Sequence, residues 1–319
     1  MQFSYIQPKS IEEAVKFGDT AQLYAGGTDL IGLMKDDIIQ TDKVINLKNI
    51  KGLDKIEDKS SKGIEIGSLV KIVDLIENKI IQEKCPLLIQ TAKEIASPQL
   101  RNMGTIGGNI CQRPRCWYFR GDFDCIRKGG DTCFAVGGEN KYHCIIGDGP
   151  CYIVHPSDLA VALLALDAKI EITSKSGQKT VPVNDFFILP ENDETKENIL
   201  KPGEVVTKII VPKQNDNLKT AYIKFKERAS WDFAVVSVAA ILETDGNMIK
   251  KGKLAFGGVA PRSWMNMDIN SKLSGLETDE ASVDVFTSSL FKDAEPMEKN
   301  EYKVILARNL VKRIIDRLV

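Results

Sequence analysis

The residues with the most evident chemistry in this sequence are its cysteines. Six of the seven lie in one segment that is rich in Gly, Arg and Asp and has no clear helical or strand period: Cys111, Cys116, Cys125, Cys133, Cys144 and Cys151. In a reducing compartment such a concentration is more typical of metal binding than of disulfides. We therefore interpret this segment, the cysteine insert (about residues 111–152), as a loop whose order depends on what it binds.

The two histidines, His143 and His155, also lie in or beside this segment. Metal ligation is one interpretation, and hydrogen-bonding loop residues the other; we favour the second because the thiolates already suffice for a site. So few histidines leave little scope for a nucleophile activated by a base. The chemistry is therefore expected to come from bound cofactors.

Two glycine segments could hold a phosphate-containing ligand. Gly26-Gly27-Thr28 follows a short strand pattern (Leu23–Ala25), and Gly107-Gly108-Asn109 follows Thr105. Glycines let backbone N–H groups approach a pyrophosphate closely. Neither segment fits the Walker or G-x-G-x-x-G pattern, and each alone is more often a tight turn. Two of them about eighty residues apart suit a dinucleotide, which has two ends to hold.

Short predicted helices and strands must position the glycine segments and the cysteine insert. Ser10 and Glu13 form a capping box that opens a helix, and the apolar spacing from Leu75 to Ile95 favours one or two helices. Further strands are predicted at 43–47, 63–67 and 169–173, with a helix near 158–166. After the polar stretch 212–218, the strand patterns 221–225, 235–242 and 251–256 precede an amphipathic helix carrying Ile305, Leu306, Leu310, Val311, Ile314 and Leu318.

The overall composition is that of an ordinary globular protein. The 319 residues include 43 Lys and Arg against 44 Asp and Glu, so no net field favours nucleic acid or an anionic membrane. The first residues lack a basic region followed by an apolar one, and no apolar run approaches the length of a membrane span. We expect a soluble protein of the cytoplasm that binds neither nucleic acid nor membrane.

Several motifs in order give the sequence a family resemblance. They are Ala25-Gly-Gly-Thr-Asp-Leu30, Thr105-Ile-Gly-Gly-Asn109, Pro156-Ser-Asp-Leu159, Arg228-Ala-Ser-Trp-Asp-Phe-Ala234 and Gly257-Gly-Val-Ala-Pro-Arg262. The set resembles the FAD-binding medium subunit of the xanthine dehydrogenase and carbon monoxide dehydrogenase family. The resemblance implies an α+β protein: a vanillyl-alcohol-oxidase-type FAD-binding fold of two subdomains over residues 1–214, and a C-terminal α+β domain with an antiparallel sheet over residues 215–319.

The same resemblance implies the FAD contacts. The pyrophosphate would be held by Tyr24, Ala25, Gly26, Gly27, Thr28, Asp29 and Leu30 together with Thr105, Gly107, Gly108 and Asn109. Asp158 would hydrogen-bond toward the adenosine part. Val206 and Lys224 occupy positions that contact the cofactor in relatives, and Ile95 lies near the flavin ring in the same scheme. The alternative interpretation is that Val206 is an ordinary strand residue, Lys224 a surface lysine and Ile95 a residue of a helix core.

The cysteine insert resembles one branch of that family, which includes the flavin subunits of 4-hydroxybenzoyl-CoA reductase and bacterial molybdenum aldehyde oxidoreductases. There the insert carries a [4Fe–4S] cluster held by four cysteines. The resemblance favours Cys116, Cys125, Cys133 and Cys151 as ligands, with Cys144 or Cys111 as the replacements left open. The gaps between the four are 8, 7 and 17 residues, longer than the close pairs usual in zinc sites.

The resemblance implies an electron-transfer subunit of a molybdenum hydroxylase complex. It would pass electrons between a [2Fe–2S] small subunit and an external carrier through FAD and the [4Fe–4S] cluster, while a molybdopterin-binding large subunit handles the substrate. Two alternatives remain: a self-sufficient FAD oxidoreductase of the same fold, and a non-catalytic scaffold stabilised by zinc.

Overall fold

The N-terminal region contains a small parallel sheet. A computed structural model describes residues 2–17 and 21–319. The sheet has the strand order β1-β3-β2 and carries two helices: β1 (Ser4–Ile6), α1 (Ile11–Phe17), β2 (Gln22–Tyr24), α2 (Leu30–Lys35) and β3 (Lys43–Asn46). One half of the predicted capping box is present, since Ser10 Oγ accepts the Glu13 N–H at 3.3 Å. The Glu13 carboxylate accepts the N–H of Lys9 rather than that of Ser10.

An antiparallel five-stranded sheet follows, with the order β4-β5-β8-β6-β7. Its strands are β4 (Ile56–Asp58), β5 (Ile64–Gly67), β6 (Lys169–Ser174), β7 (Gly177–Pro182) and β8 (Val205–Val211). The helices around it are α3 (Ile72–Glu77), α4 (Lys79–Lys84), α5 (Pro86–Lys93), α6 (Pro98–Arg101), α7 (Ile106–Ile110), α9 (Asp158–Ala165) and α10 (Val183–Phe186). The prediction of one or two helices between Leu75 and Ile95 was wrong: Asn78 caps a new helix and Pro86 begins a third.

The C-terminal region is an antiparallel sheet with the order β12-β11-β10-β9, which confirms the predicted α+β class. Its elements are β9 (Lys219–Phe225), β10 (Val236–Asp245), β11 (Met248–Gly257), α11 (Met267–Ser271), β12 (Leu276–Glu277), α12 (Glu280–Ser288) and α13 (Tyr302–Leu318). Helix α13 buries Leu310, Val311, Ile314 and Leu318 as predicted, but Ile305 points outward and is 61% exposed. Helix α9 is buried along its whole length and contacts both β10 and β11, so the core runs across both regions.

The cysteine insert has little regular structure, as predicted: helix α8 (Trp117–Arg120) and one 3-10 turn (Ile126–Lys128). Neighbouring elements hold it in place instead. Lys303, on α13, is fully buried and donates to the carbonyls of Tyr142, His143 and Gly258, each at 2.8 Å. Asn300 adds hydrogen bonds to two carbonyls of the same segment. Over residues 2–17 and 21–319, no helix combines the length and the apolar character needed to cross a bilayer.

Candidate functional site

The two predicted glycine segments lie against one another. A Cβ on Gly26 would stand 2.0 Å from the carbonyl oxygen of Met103, and one on Gly104 would stand 3.7 Å from Thr28 Oγ1. Gly27 has φ +72°, a conformation that favours glycine, and a Cβ there would strike the Tyr24 ring at 2.4 Å. Only glycine therefore allows the loop after β2 to meet the start of α7.

A groove of about 510 Å³, the glycine groove, opens where these segments meet. Eight of the predicted FAD residues line it: Ala25, Gly26, Gly27, Thr28, Asp29, Leu30, Thr105 and Gly108. Residues from the segment 195–204 form the opposite wall. The groove is partly polar and is lined by glycines from both segments, which suits a ligand with phosphate groups.

The three other predicted residues of these segments support the groove from behind. The Tyr24 ring packs under Gly27. Gly107 is buried, with its N–H bonded to the Ser68 carbonyl at 2.9 Å. Asn109 accepts a hydrogen bond from Ser157 Oγ at 2.6 Å, and Ser157 caps helix α9. The second glycine segment is thereby joined to the start of α9.

Asp158, the first residue of α9, is bonded within the protein. Its Oδ1 accepts from the Tyr222 hydroxyl at 2.6 Å, and its Oδ2 pairs with Lys224 Nζ at 2.8 Å. The two charged side chains are 6% and 1% exposed, so the interpretation of Lys224 as a surface lysine was wrong. Burial, together with the adjacent carboxylate, raises the pKa of Tyr222 well above its usual value. This triad joins α9 to strand β9.

A second cavity of about 380 Å³, the interdomain cavity, lies between the start of α9, the cysteine insert and the C-terminal segment 227–237. Aromatic rings make up much of its wall, with Trp117 and Tyr142 from the insert and Phe233 from the C-terminal region; Asp158 also lines it. Within the described part of the chain, Val206 and Ile95 line neither the groove nor this cavity. Both are buried in the core, on β8 and after α5.

Four cysteines face one small space, the cysteine cavity. They are Cys116, Cys125, Cys133 and Cys151, the set that the resemblance favours. Cys111 lines the glycine groove instead, and Cys144 is buried outside the cavity. The cavity measures about 10 Å³ and a hydrogen bond joins the Cys133 and Cys151 thiols, so the cysteine side chains must turn apart to admit a group. In residues 2–17 and 21–319, no three His, Cys, Asp or Glu side chains stand close enough to hold a single metal ion.

Hydrogen bonding and burial distinguish the thiols of the cysteine cavity. A hydrogen bond from Cys151 lowers the pKa of Cys133 to about 6 and raises that of Cys151 above its usual value. Burial raises the pKa of Cys116 to about 11 and, outside the cavity, that of Cys144 to about 12. His143 Nε2 lies 3.3 Å from Cys116 Sγ, and burial lowers the pKa of this histidine to about 4. A neutral imidazole and one readily ionised thiol thus share the cavity.

Arginines of the insert connect it to the glycine groove. Asp29, on the glycine loop, accepts the Arg113 backbone N–H and pairs with the guanidinium groups of Arg115 and Arg120 at 2.9 and 2.8 Å. Glu197, on the opposite wall, pairs with Arg113 and Arg127. These partners are distant in the sequence, and beyond the arginine content of the insert no local pattern points to them.

Comparisons with known proteins agree with this geometry. Residues 1–214 match the family described as the FAD binding domain in molybdopterin dehydrogenase, and residues 220–318 match the CO dehydrogenase flavoprotein C-terminal domain. The chain is 35% identical over 299 residues to the aldehyde oxidoreductase FAD-binding subunit PaoB of Escherichia coli (strain K12), covering 92% of this chain and 90% of that subunit.

A second relative and a solved structure extend the match. The carbon monoxide dehydrogenase medium chain of Hydrogenophaga pseudoflava is 29% identical over 323 residues, covering 98% of this chain and 96% of its own length. A solved chain of the carbon monoxide dehydrogenase from that organism, in a form lacking the Mo-pyranopterin moiety of its molybdenum cofactor, superposes with a TM-score of 0.79 at 27% identity. The superposition covers all of this chain and 97% of the solved one.

Proposed function

This chain belongs to the family of FAD-binding medium subunits of xanthine dehydrogenase and carbon monoxide dehydrogenase, and on that premise we propose that it is the electron-transfer flavoprotein of a molybdenum hydroxylase complex. The observation that carries the proposal is the glycine groove, in which two glycine segments from different elements meet. FAD, when bound, supplies electron transfer in one-electron or two-electron steps. In keeping with the family, the substrate is oxidised or reduced on a partner molybdenum subunit.

The residues of the groove and of the interdomain cavity have separate tasks in this proposal. The loop 25–30 and Gly108 bring backbone close to the pyrophosphate, while Tyr24, Gly107 and Asn109 hold those segments in place. The aromatic wall of the interdomain cavity excludes water from the cofactor's reactive part. Asp158 and Lys224 act by fixing α9 against β9, and Val206 acts through the core. The division into an FAD-binding domain, 1–214, and a C-terminal domain, 215–319, belongs to the same proposal.

The cysteine cavity is the proposed site of a [4Fe–4S] cluster. Four cysteines from separate parts of the insert converge there, and cysteine thiolates are the usual ligands of such clusters. A tetrahedral zinc ion would draw four sulfurs to within about 4 Å of one another, given Zn–S bonds of about 2.3 Å. In a four-iron cluster each thiolate binds a different iron, so the ligand sulfurs stay further apart. Four cysteine donors suit the cluster, and among the described residues no three candidate ligands stand close enough to hold a single ion; both observations support the cluster over zinc.

The proposed partners follow from these two sites. A [2Fe–2S] small subunit exchanges electrons with the FAD held by this chain, a molybdopterin-binding large subunit carries the substrate, and an external carrier takes or supplies the electrons. Two relatives bear names that describe parts of larger assemblies, an FAD-binding subunit and a medium chain.

The experiment is metal, sulfide and flavin analysis of the purified chain, with visible spectroscopy. We expect FAD and about four irons per chain. Cys133→Ser should lose most of the iron and keep FAD, whereas Cys144→Ser, a buried cysteine outside the cavity, serves as the matched control and should keep both. Zinc in place of iron would refute the cluster. Substrate turnover by the isolated chain would favour a self-sufficient oxidoreductase. A colourless protein would hold neither FAD nor the cluster and would refute the proposal.

A further inference from the structure

Arg127 occupies the wall between the cysteine cavity and the glycine groove. Its side chain is 1% exposed and lines the cavity, where its Nε lies 3.5 Å from Cys151 Sγ. On its other side, Nη1 donates to the carboxylate of Glu197 at 2.6 Å. Glu197 lines the glycine groove. One buried guanidinium thus contacts a residue of each site.

The local charges leave this guanidinium in need of an anion. Glu197 also accepts from Arg113 Nε, which lies 3.1 Å from both carboxylate oxygens. Two positive groups therefore share one negative group, and the Glu197 side chain is itself only 7% exposed. A buried excess charge is costly unless an opposite charge pairs with it. Arg127 Nε points toward Cys151 Sγ. A sulfur that ligates a cluster does so as a thiolate, so Cys151 would supply the missing negative charge on ligation.

We propose that Arg127 is a positioning residue that donates a charge-assisted hydrogen bond to Cys151 and thereby sets the reduction potential of the group held in the cysteine cavity. This inference rests on the [4Fe–4S] site proposed above. A hydrogen bond to a ligand sulfur stabilises the reduced state, which carries more negative charge, and so raises the potential. Glu197 fixes the guanidinium from the groove side, so that the two sites share one structural support.

The test compares Arg127→Gln and Arg127→Lys with a matched control, Arg113→Gln. Arg113 shares Glu197 but lies on the groove side of it. In each purified protein, iron and FAD are quantified and the midpoint potential of the cluster is measured by redox titration followed by electron paramagnetic resonance. Arg127→Gln should lower the midpoint potential of the cluster. At a fixed solution potential, the ratio of reduced to oxidised cluster should fall at least tenfold, which corresponds to about 59 mV for a one-electron couple. Arg113→Gln should leave the ratio within a factor of about two.

The outcomes separate two claims, the role of Arg127 and the presence of the cluster. In Arg127→Lys the charge remains but one amine cannot serve Cys151 and Glu197 with the geometry of the fork, so an intermediate shift is expected. An unchanged potential in Arg127→Gln with full iron would overturn the role of Arg127. Loss of iron from both Arg127 variants with FAD retained would also overturn it, in favour of a purely structural role. Absence of iron from the unaltered protein would instead refute the cluster itself.

Discussion

The buried triad of Asp158, Tyr222 and Lys224 gives the sharpest test of how the two regions are held together. Lys224→Met keeps the length of the side chain but removes the charge that faces Asp158 Oδ2 at 2.8 Å and the donor that reaches the Glu94 carbonyl at 3.1 Å. The charged side chains are 1% and 6% exposed, so solvent does little to compensate. Breaking a pair buried to this extent costs about 3–5 kcal/mol.

The assay is urea unfolding of the FAD-free and FAD-loaded protein, followed by far-ultraviolet circular dichroism. Lys224→Met should lower the free energy of unfolding by about 3–5 kcal/mol in both forms, because the pair joins α9 to β9 whether or not FAD is bound. Asp158→Asn in the same background should recover about 2 kcal/mol, since it removes the unpaired carboxylate while keeping an acceptor for Tyr222. The matched control is Lys250→Met, which breaks an exposed pair with Asp245 and should cost less than about 1 kcal/mol.

Three results would contradict this reasoning. A loss below about 1 kcal/mol for Lys224→Met would mean that the ion pair contributes no more than a surface pair. A loss confined to the FAD-loaded protein would mean that Lys224 acts on the cofactor rather than on the packing of α9. Strictly additive effects in the double variant would show that Asp158 and Lys224 do not interact energetically.

Three further predictions concern the groove and the insert. Gly27→Ala should weaken FAD binding at least tenfold, because Gly27 has φ +72° and a methyl group there would strike the Tyr24 ring. Gly32→Ala is the control, since a methyl group at Gly32 meets open space and FAD binding should not change. Equal FAD contents in the two variants would contradict the prediction. Burial lowers the pKa of His155 to about 3, so its contribution to stability is complete above pH 6.5 and is lost as the pH falls toward 3. His155→Asn should remove up to about 4 kcal/mol of this acid-induced loss in the free energy of unfolding, measured by urea titration at several pH values. An unaltered dependence on pH would refute the prediction. Lys303→Met should leave the Tyr142 and Gly258 carbonyls without a partner, while the His143 carbonyl keeps its bond from Asn300. The insert should then be cleaved faster in limited proteolysis, and unchanged cleavage rates would argue against a clamping role for Lys303.

Local sequence patterns predicted what depends on short-range geometry. The capping box at Ser10, the glycine loop after β2 and the antiparallel C-terminal strands each follow from neighbouring residues. The absence of regular structure in the cysteine insert followed from its composition. The family resemblance, rather than any periodicity, selected the four cysteines that line one cavity.

Features created by tertiary packing could not be predicted in the same way. Arg127 and Glu197 are 70 residues apart, and nothing in either local sequence indicates that they meet. Lys303 lies in an amphipathic helix, where a lysine normally faces water, yet it is fully buried because three carbonyls converge on it. The apolar spacing from Leu75 to Ile95 does not by itself show that Pro86 begins a separate helix.

The attachment of the insert to Lys303 and Asn300 has a consequence for biosynthesis. Lys303, on α13, holds the carbonyls of Tyr142 and His143, and Asn300, just before that helix, holds those of His143 and Cys144. This side of the insert therefore stays unsupported while the ribosome is still making the C-terminal region. We therefore expect the insert to reach its final arrangement only after α13 has been made. A chain truncated before α13 is expected to present its thiols without this support.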